Sequence, residues 1–287
     1  MRQGSRSQNP TKSGNTVVEK QGSLVIVGTG INTLAHCSIE ARAYIEQAEK
    51  LIVHVPDPLG MSWLRELHPE LIDLQACYGQ SENRADAYEL MTRTITEAVV
   101  AGHQTVAVFY GHPGVFVQPS HEAIRRLRAQ GFHAQMLPGI SAEDCLFADL
   151  GIDPGRIGCT QHEASSFLFH QLPIDPSTHL ILWQIGVLGD HTLQRLTPAA
   201  QALRVLSLKL QQHYPANHQV VIYEAPVLTI GTARMDRLAL SDLSGAQLTP
   251  ASTLFVPACV QALPDTDVIK AMSLTQHEVF SPVSTIK

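Results

Sequence analysis

The sequence predicts an α/β protein of two domains, with a parallel sheet in the first domain and a mixed sheet in the second. Between Ser23 and Leu137, apolar runs of β type alternate with helical stretches, which is the pattern of a parallel sheet. Several of these runs end in glycine-rich turns, and open α/β sheets bind their ligands at such turns, beyond the carboxyl ends of the strands. After Ser141 the pattern becomes more irregular, which favours a second α/β domain with a mixed sheet.

Composition and pattern divide the chain into four segments. Residues 1–22 are rich in Ser, Gln, Asn, Thr and Gly and offer almost nothing to bury, so we expect a flexible tail. We expect the N-terminal α/β domain at 23–140 and the C-terminal α/β domain at 141–264. Residues 265–287 hold no strong pattern and are expected to form a C-terminal tail.

The first domain is predicted to contain four strands with helices between them. The leading strand, at 23–27, is an apolar run of the kind that lies buried in parallel sheets. The other strands are predicted at 51–55, 105–110 and 133–137. Helices are predicted where apolar residues recur at helical spacing, at 41–48, 83–102 and 119–130.

The second domain is predicted to begin with a helix from Ser141 through Asp149, followed by an irregular passage around 153–155. Its strands are predicted at 179–185, 219–223 and 253–256, with a short strand at 237–239. A polar helix is predicted at about 197–213.

The composition disfavours several classes of function. The net charge is −6 and the pI is near 6.1, which disfavours extensive binding to nucleic acid or to an anionic membrane. No apolar run approaches the roughly twenty residues that a membrane span requires. The five cysteines are scattered without a C-x-x-C pair and the histidines form no H-E-x-x-H motif, so neither a metal site nor a disulfide scaffold is indicated. We expect a cytoplasmic protein with no nucleic-acid or membrane partner.

Three glycine-containing turns are candidates for a ligand site. Gly28-Thr29-Gly30 follows the first strand, but it lacks the third glycine of a dinucleotide fingerprint, and a plain tight turn explains it equally well. The segment from Tyr110 to Gly114 can present backbone N–H groups and a ring to a flat cofactor; the alternative is a rigid turn with Tyr110 in the core. In Pro138-Gly139-Ile140-Ser141-Ala142, the serine either meets a ligand or simply caps the next helix, because Ser-x-x-Asp is close to a capping pattern.

Tyr78, Arg84 and Tyr88 form a further candidate constellation before and within a predicted long helix. Arg84 and Tyr88 are four residues apart and therefore share a helical face. A guanidinium near a phenol favours the phenolate, so the group could supply a base. The alternative is that Arg84 makes a surface ion pair with Asp86 or Glu89 while the tyrosines only pack.

Taken together, these segments resemble the borosin peptide α-N-methyltransferases, which belong to the tetrapyrrole-methylase-like superfamily of class III, S-adenosylmethionine-dependent enzymes. The resemblance covers roughly residues 24–257, and shorter matching segments lie at 182–186 and 252–257. It is densest in the strings VFYGHPGVFVQPSHEAI, MLPGISAEDCLFADLGIDP and GCTQHEA. The superfamily as a whole shares only the glycine turns, whereas the extended strings are typical of the narrower family.

The resemblance implies a homodimer of two-domain subunits that holds S-adenosylmethionine in the interdomain cleft and releases S-adenosylhomocysteine. The positions implied to face the cofactor are Tyr110, His112, Val115, Phe116, Ser141, Ala142, Gln184, Tyr223, Ser252 and Thr253. The implied catalytic residues are Tyr78, Arg84, Tyr88 and Tyr110.

The activity that the resemblance implies is α-N-methylation of backbone amides in a ribosomal peptide. A Tyr78 phenolate held by Arg84 would remove the amide proton, Tyr88 would hydrogen-bond the carbonyl oxygen, and Tyr110 would orient the amide or the methyl group. Arg84 acting only electrostatically remains an alternative. Two further alternatives are a small-molecule, tetrapyrrole-type methyltransferase and a non-catalytic peptide-binding relative, and the tyrosine–arginine set argues against both.

One departure from the family pattern sets the expected substrate. Fused members carry a long C-terminal extension that ends in their own apolar core peptide, whereas the printed sequence ends soon after the last predicted strand. We therefore expect a split enzyme that acts in trans on a separate precursor, which would contain a leader or binding domain and an apolar core. The expected assembly is a homodimer, or a heterotetramer with two precursors.

Overall fold

The computed structural model describes residues 21–190, 198, 200–276 and 279. Most of the predicted N-terminal tail, and the end of the predicted C-terminal tail, lie outside these residues. The chain divides into two compact units. Of the described residues, the first unit contains 21–29, 37–79 and 87–139, and the second contains 30–36, 80–86 and the residues from Ile140 onward.

The first unit is built on a five-stranded sheet in which every neighbouring pair is parallel. Its strands are β1 Ser23–Gly28, β2 Lys50–His54, β3 Ile72–Asp73, β4 Gln104–Phe109 and β5 His133–Met136, in the spatial order β3-β2-β4-β1-β5. The predicted parallel sheet is confirmed, and β3 is a two-residue edge strand that the sequence analysis did not contain.

The helices that accompany this sheet begin at local signals in the sequence. They are α2 Ile39–Gln47, α3 Pro58–Leu67, α4 Ala76–Gly79, α5 Arg84–Val100 and α6 Gln118–Ala129, whereas the short helix α1 Thr33–His36 belongs to the second unit. The Ser38 hydroxyl accepts from the backbone of Ala41 to cap α2, and the Asp57 carboxylate caps α3 with Pro58 in its first turn. Both α3 and α4 lie where no helix was predicted.

Alternate residues of β1 face opposite sides of the first sheet. Leu24 and Ile26 pack in one buried cluster with residues of α5 and α6, whereas Val25 and Val27 pack in another with residues of α2 and α3. Because helices cover both faces, each position of a central strand is buried, which explains why these strands read as continuous apolar runs. This buried sheet holds the glycine turns in place at its carboxyl edge.

The second unit contains a five-stranded mixed sheet, as predicted. Its strands are β6 Cys159–Glu163, β7 His179–Trp183, β8 Gln219–Glu224, β9 Arg234–Ala239 and β10 Thr253–Val256, in the order β6-β7-β10-β8-β9. The β6–β7 pair is parallel and the other pairs are antiparallel. Its helices are α7 Ala142–Leu150, α8 Pro154–Ile157, α9 Ala164–Phe169, α10 Ala200–Leu210 and α11 Thr266–Ala271, with 3₁₀ turns at Ile185–Val187 and Leu240–Gly245.

Several elements of the second unit differ from the sequence prediction. The passage around 153–155 is not irregular, because the Asp153 carboxylate accepts from the backbone of Gly155 and starts α8. The helix predicted at 197–213 is shorter in the described part of the chain, where it spans α10. An Asp265 cap starts α11 within the segment where no pattern was predicted.

Within the described ranges, no helix is both long enough and apolar enough to cross a membrane. Among the same residues, no group of three or more His, Cys, Asp or Glu side chains is arranged to hold a metal ion.

Candidate active site

Three glycine turns meet beyond the carboxyl ends of the adjacent strands β4, β1 and β5. A Cβ atom on Gly28 would lie 2.2 Å from the carbonyl oxygen of Gly111 and 2.7 Å from Cδ of Pro113. A Cβ atom on Gly139 would lie 3.3 Å from the same two atoms and 3.5 Å from Cα of Gly28. Only residues without side chains allow the turns to approach this closely, so the glycines predicted from sequence form one connected edge.

Two histidines fix the turn that follows β4. The backbone N–H of Gly114 donates to Nδ1 of His112 at 3.0 Å, and Nε2 of His121 lies 2.7 Å from the Gly114 carbonyl oxygen, to which it donates. A Cβ atom on Gly114 would lie 2.7 Å from Sδ of Met136 in β5. The His112 ring is therefore anchored through Nδ1, which leaves its other nitrogen as the ring position that can meet a ligand.

The backbone is strained at two of the positions predicted to face the cofactor. Among the described residues, the only non-glycine residues with positive φ are Phe116 at 57°, Gln184 at 60° and Ser273 at 56°. Such conformations cost about 1–3 kcal/mol each and concentrate at ligand sites, where the surrounding structure maintains them. Phe116 is 47% exposed and its neighbour Val115 is 39% exposed. These large apolar side chains at the surface of a strained turn are consistent with contact to a ligand.

Tyr110 lies directly after β4 and is joined to the end of β2. Its backbone N–H donates to the carbonyl oxygen of His54 at 3.1 Å. The His54 ring lies 5.5 Å from the ring of Tyr78 in α4, measured between centroids, and 6.3 Å from the ring of Phe109. One residue of β2 thus connects two of the predicted catalytic tyrosines within the first unit.

Arg84 and Tyr88 lie one turn apart in α5, and Tyr88 packs against the same core cluster as Tyr78. The two carboxylates that could pair with Arg84 are engaged elsewhere. Asp86 accepts from the Asn83 amide at 2.7 Å, and Glu89 accepts two bonds of 2.7 Å from the guanidinium of Arg126 in α6. Among the salt bridges between described residues, none joins Arg84 to Asp86 or Glu89, the surface pair considered as the alternative.

The other residues predicted to face the cofactor belong to the second unit, where Ser141 and Ala142 start α7. The Ser141 hydroxyl accepts from the backbone N–H of Asp144 at 3.3 Å, and the Asp144 carboxylate accepts from the Ser141 N–H at 2.6 Å. The capping role considered for Ser141 is confirmed. Any contact with a ligand would be additional to it.

Tyr223, Ser252 and Thr253 are buried around β8 and β10. The Tyr223 hydroxyl donates to the Asp149 carboxylate at 2.7 Å, and Thr253 pairs with Tyr223 across the strands. The Ser252 hydroxyl donates to the Glu224 carboxylate at 2.5 Å and accepts from the Thr249 backbone at 2.8 Å. The polar atoms of Tyr223 and Ser252 are thus engaged within the second unit, and both side chains hold its turns in position.

His54 is not among the site residues predicted from the sequence. Burial lowers the pKa of its imidazole below the usual value, although the Asp73 carboxylate opposes this shift. Its Nδ1 atom is buried and has no hydrogen-bond partner among the described residues. A polar residue at the end of an apolar strand was the available signal, but the contact with Tyr78 arises only from the packing of α4 on β2.

Residues 23–239 match the family of tetrapyrrole (corrin/porphyrin) methylases. The chain belongs to this family. The structure of uroporphyrin-III-C-methyltransferase from Thermus thermophilus matches with a TM-score of 0.61 at 18% identity, over 90% of this chain and 99% of that one. A cobalt precorrin-4 methyltransferase matches with a TM-score of 0.57 at 13% identity, over 82% and 94%. At such identities the likeness concerns the fold alone, and it confirms the predicted tetrapyrrole-methylase fold.

More similar sequences join a methyltransferase to a peptide precursor. The methyltransferase/ribosomally synthesized cyclic peptide gymnopeptides precursor of Gymnopus fusipes is 38% identical over 262 residues, or 89% of this chain and 62% of its own length. The corresponding omphalotin A precursor of Omphalotus olearius is 36% identical over 259 residues, with the same coverages of 89% and 62%. A type III borosin precursor of Anomoporia bombycina is 38% identical over 242 residues, or 83% of this chain and 28% of its own length. The chain thus spans less than two thirds of the length of these relatives.

Proposed function

We propose that this chain is an S-adenosylmethionine-dependent methyltransferase that methylates backbone amides of a ribosomal precursor peptide. The observation that carries the proposal is that His54 contacts the backbone of Tyr110 and the ring of Tyr78, beside the edge where the three glycine turns converge. Closely packed backbone turns can hold a methyl donor at the sheet edge. A nearby tyrosine can supply the base that the methyl acceptor requires. The relatives described above, which join a methyltransferase to a cyclic peptide precursor, support the same substrate class.

The residues at this edge fit the predicted cofactor. The glycines let three backbone turns pack closely together at the carboxyl edge of the sheet, and the exposed Val115 and Phe116 side chains offer apolar contact to a ligand there. We assign cofactor contacts to these two residues, to Tyr110 and His112, and to a set in the second unit: Ser141, Ala142, Gln184, Tyr223, Ser252 and Thr253. When bound, S-adenosylmethionine supplies an electrophilic methyl group on sulfur.

The chain's own residues must make a peptide nitrogen reactive. Its lone pair is delocalised into the carbonyl group, so the amide becomes a good nucleophile only as its proton is removed. We assign proton removal to a Tyr78 phenolate stabilised by Arg84, and hydrogen bonding of the amide oxygen to Tyr88. Tyr110 orients the amide, which lowers the entropic cost of reaching the reactive arrangement.

The proposal also specifies the partners. The substrate is a separate precursor with a leader or binding domain and an apolar core, and the enzyme is a homodimer that binds two precursors as a heterotetramer. The relatives carry methyltransferase and precursor in one polypeptide. Action in trans, on a precursor that is a separate chain, is therefore our proposal for this protein and not a property taken from the relatives. It is tested by whether a precursor supplied as a second chain is modified.

The catalytic assignment is tested by coexpressing the chain with a candidate precursor and analysing the peptide by tandem mass spectrometry. We expect methyl increments on backbone amides with the unchanged chain, and a loss of at least tenfold with Tyr78→Phe or Arg84→Ala, since one general base contributes roughly 10²–10⁴-fold. The matched control is Tyr44→Phe, which removes a hydroxyl from the opposite face of the first sheet and should leave methylation unchanged. Full activity of Tyr78→Phe would contradict the assignment. Cofactor binding without any peptide methylation would instead favour a small-molecule methyltransferase.

A further inference from the structure

His54 is a partly buried polar residue that the proposed mechanism does not use. It ends β2, and its ring is near the aromatic rings of both Tyr78 and Phe109, at centroid distances of 5.5 and 6.3 Å. Its Nδ1 atom is buried without a hydrogen-bond partner in the described chain. Buried polar atoms are nearly always hydrogen-bonded in native proteins, so an exception calls for a functional reason.

A phenylalanine at position 54 would fill the same space without leaving a buried polar atom unpaired. The aromatic contacts of His54 with Tyr78 and Phe109 need a ring but not a nitrogen, and a phenyl ring would leave no polar atom unsatisfied. Packing alone therefore does not account for histidine at this position.

We propose that His54 is a positioning residue for Tyr78, and that its Nδ1–H donates a hydrogen bond to the Tyr78 oxygen when the phenol is ionised. This inference rests on the proposed function of Tyr78 as the base. The centroids of the two rings lie 5.5 Å apart, so Nδ1 and the Tyr78 phenol are close neighbours, and the proposed bond requires a side-chain rotation of Tyr78. Hydrogen bonds of catalytic groups are often open in the free protein and close only in the reactive state. A donor to the charged form of an acid favours that form, so the bond makes the phenolate easier to reach.

The surroundings of His54 suit a neutral donor. The titratable groups on the elements packed against it are Asp73 of β3, Cys77 and Tyr78 of α4, and Tyr110 after β4. Burial favours the neutral imidazole, while the Asp73 carboxylate acts in the opposite direction. The backbone of His54 adds a second link, because its carbonyl oxygen accepts the N–H of Tyr110 at 3.1 Å. One residue thereby orders two tyrosines of the site.

Two substitutions distinguish the contribution of the Nδ1 donor of His54 from that of its aromatic ring. His54→Phe keeps an aromatic ring but removes the donor, whereas His54→Asn loses the ring but carries an amide N–H close to the position of Nδ1. The rate should depend on pH through ionisation of Tyr78. We expect His54→Phe to shift this profile upward by about one pH unit, and thus to lower the rate about tenfold at neutral pH with recovery at high pH. His54→Asn should keep the profile of the unchanged chain.

A purely structural role would give a different result. It would lower the rate equally at every pH, and it would affect His54→Asn more than His54→Phe because the amide cannot replace the ring contacts. An unshifted profile in His54→Phe, or an equal shift in the two variants, would overturn the proposal. If His54→Phe does not fold, His54→Gln takes its place, since its amide reaches the position of Nε2 rather than Nδ1 and should show the same upward shift.

A measurement without turnover distinguishes this inference from the proposed function. The ultraviolet titration of Tyr78, taken as the difference between the chain and its Tyr78→Phe variant, reports the phenol pKa directly. We expect this pKa to rise by about one unit in His54→Phe and to stay unchanged in His54→Asn. A rise of the Tyr78 pKa in His54→Phe, in a chain that methylates no peptide, would support the His54–Tyr78 hydrogen bond and overturn the proposed function. No shift in an active enzyme would overturn the bond alone.

Discussion

Single residues decide how closely the turns of the first sheet approach each other. Gly28 ends β1 and Gly111 follows the neighbouring strand β4, and the place of a side chain on Gly28 is taken by the Gly111 carbonyl group. Phe116 and Gln184 also reduce the stability of the fold, because their backbones adopt the left-handed region with positive φ. Residues that reduce stability in this way are retained where a ligand needs the resulting shape.

Gly28→Ala should therefore weaken both the fold and cofactor binding. Its Cβ atom would lie 2.2 Å from backbone, which cannot move aside as a flexible side chain can. We expect a loss of roughly 1–3 kcal/mol in the free energy of unfolding, the usual cost of overpacking, and a lower affinity for S-adenosylmethionine. Urea denaturation and titration calorimetry measure the two effects.

Gly245→Ala is the matched control, because a Cβ atom there meets nothing within 4 Å. It should change neither quantity. Unchanged cofactor affinity in Gly28→Ala would show that the glycine edge has no part in the binding site.

At the scale of elements, the N-terminus of α7 combines a structural role with a proposed one. Ser141 and Asp144 each supply one half of the capping box, so Ser141→Ala and Asp144→Ala should each lower the free energy of unfolding by about 1 kcal/mol. Only Ser141 is proposed to face the cofactor. We expect Ser141→Ala alone to reduce the affinity for S-adenosylmethionine in titration calorimetry, and equal affinities in the two variants would assign Ser141 to capping only.

The elements that could be predicted from sequence were those with a strong pattern. Apolar runs predicted β1 and β4 because both lie inside a sheet covered on two faces. The edge strand β6 was missed because its partly exposed, polar residues resemble a loop, and its pairing with β7 is a tertiary property. The two-residue strand β3 is too short to leave any pattern.

The residues of the candidate site likewise fall into those that local sequence could predict and those that it could not. The residues around Tyr110 and Ser141 favour particular local backbone conformations, so those positions could be predicted from sequence alone. Contacts between distant segments left no such signal: the approach of His54 to Tyr78 depends on how α4 packs on β2, and the bond from Tyr223 to Asp149 joins residues 74 positions apart. The assignments of the cofactor-facing and catalytic residues remain predictions that the experiments above test.

At the scale of the whole molecule, acid should destabilise the fold through partly buried histidines. Burial lowers the pKa of His54, His162 and His179, and the Nε2 atom of His162 has no partner among the described residues. The unfolded chain therefore takes up protons near pH 6.5 while the folded chain does not, so the free energy of unfolding falls as pH decreases from about 6.5 to the folded-state pKa values. Above this window the contribution is constant.

Urea denaturation between pH 8 and pH 5 measures this dependence. His162→Gln removes one of the three groups and should make the decline shallower, with Gln161→Asn as a control at a neighbouring non-titrating position. An equally steep decline in His162→Gln, or greater stability at pH 5 than at pH 8, would be inconsistent with the lowered pKa values.

The central claim is that the chain transfers methyl groups to backbone amides of a peptide. The most direct measurement incubates the purified chain and a separately purified precursor with S-adenosylmethionine labelled in its methyl group, and locates the label by tandem mass spectrometry. The account predicts labelled methyl groups on backbone nitrogens of the core segment, absent when Tyr78→Phe replaces the unchanged chain. Label confined to side chains, or peptide that stays unlabelled while the chain binds the cofactor, would contradict it.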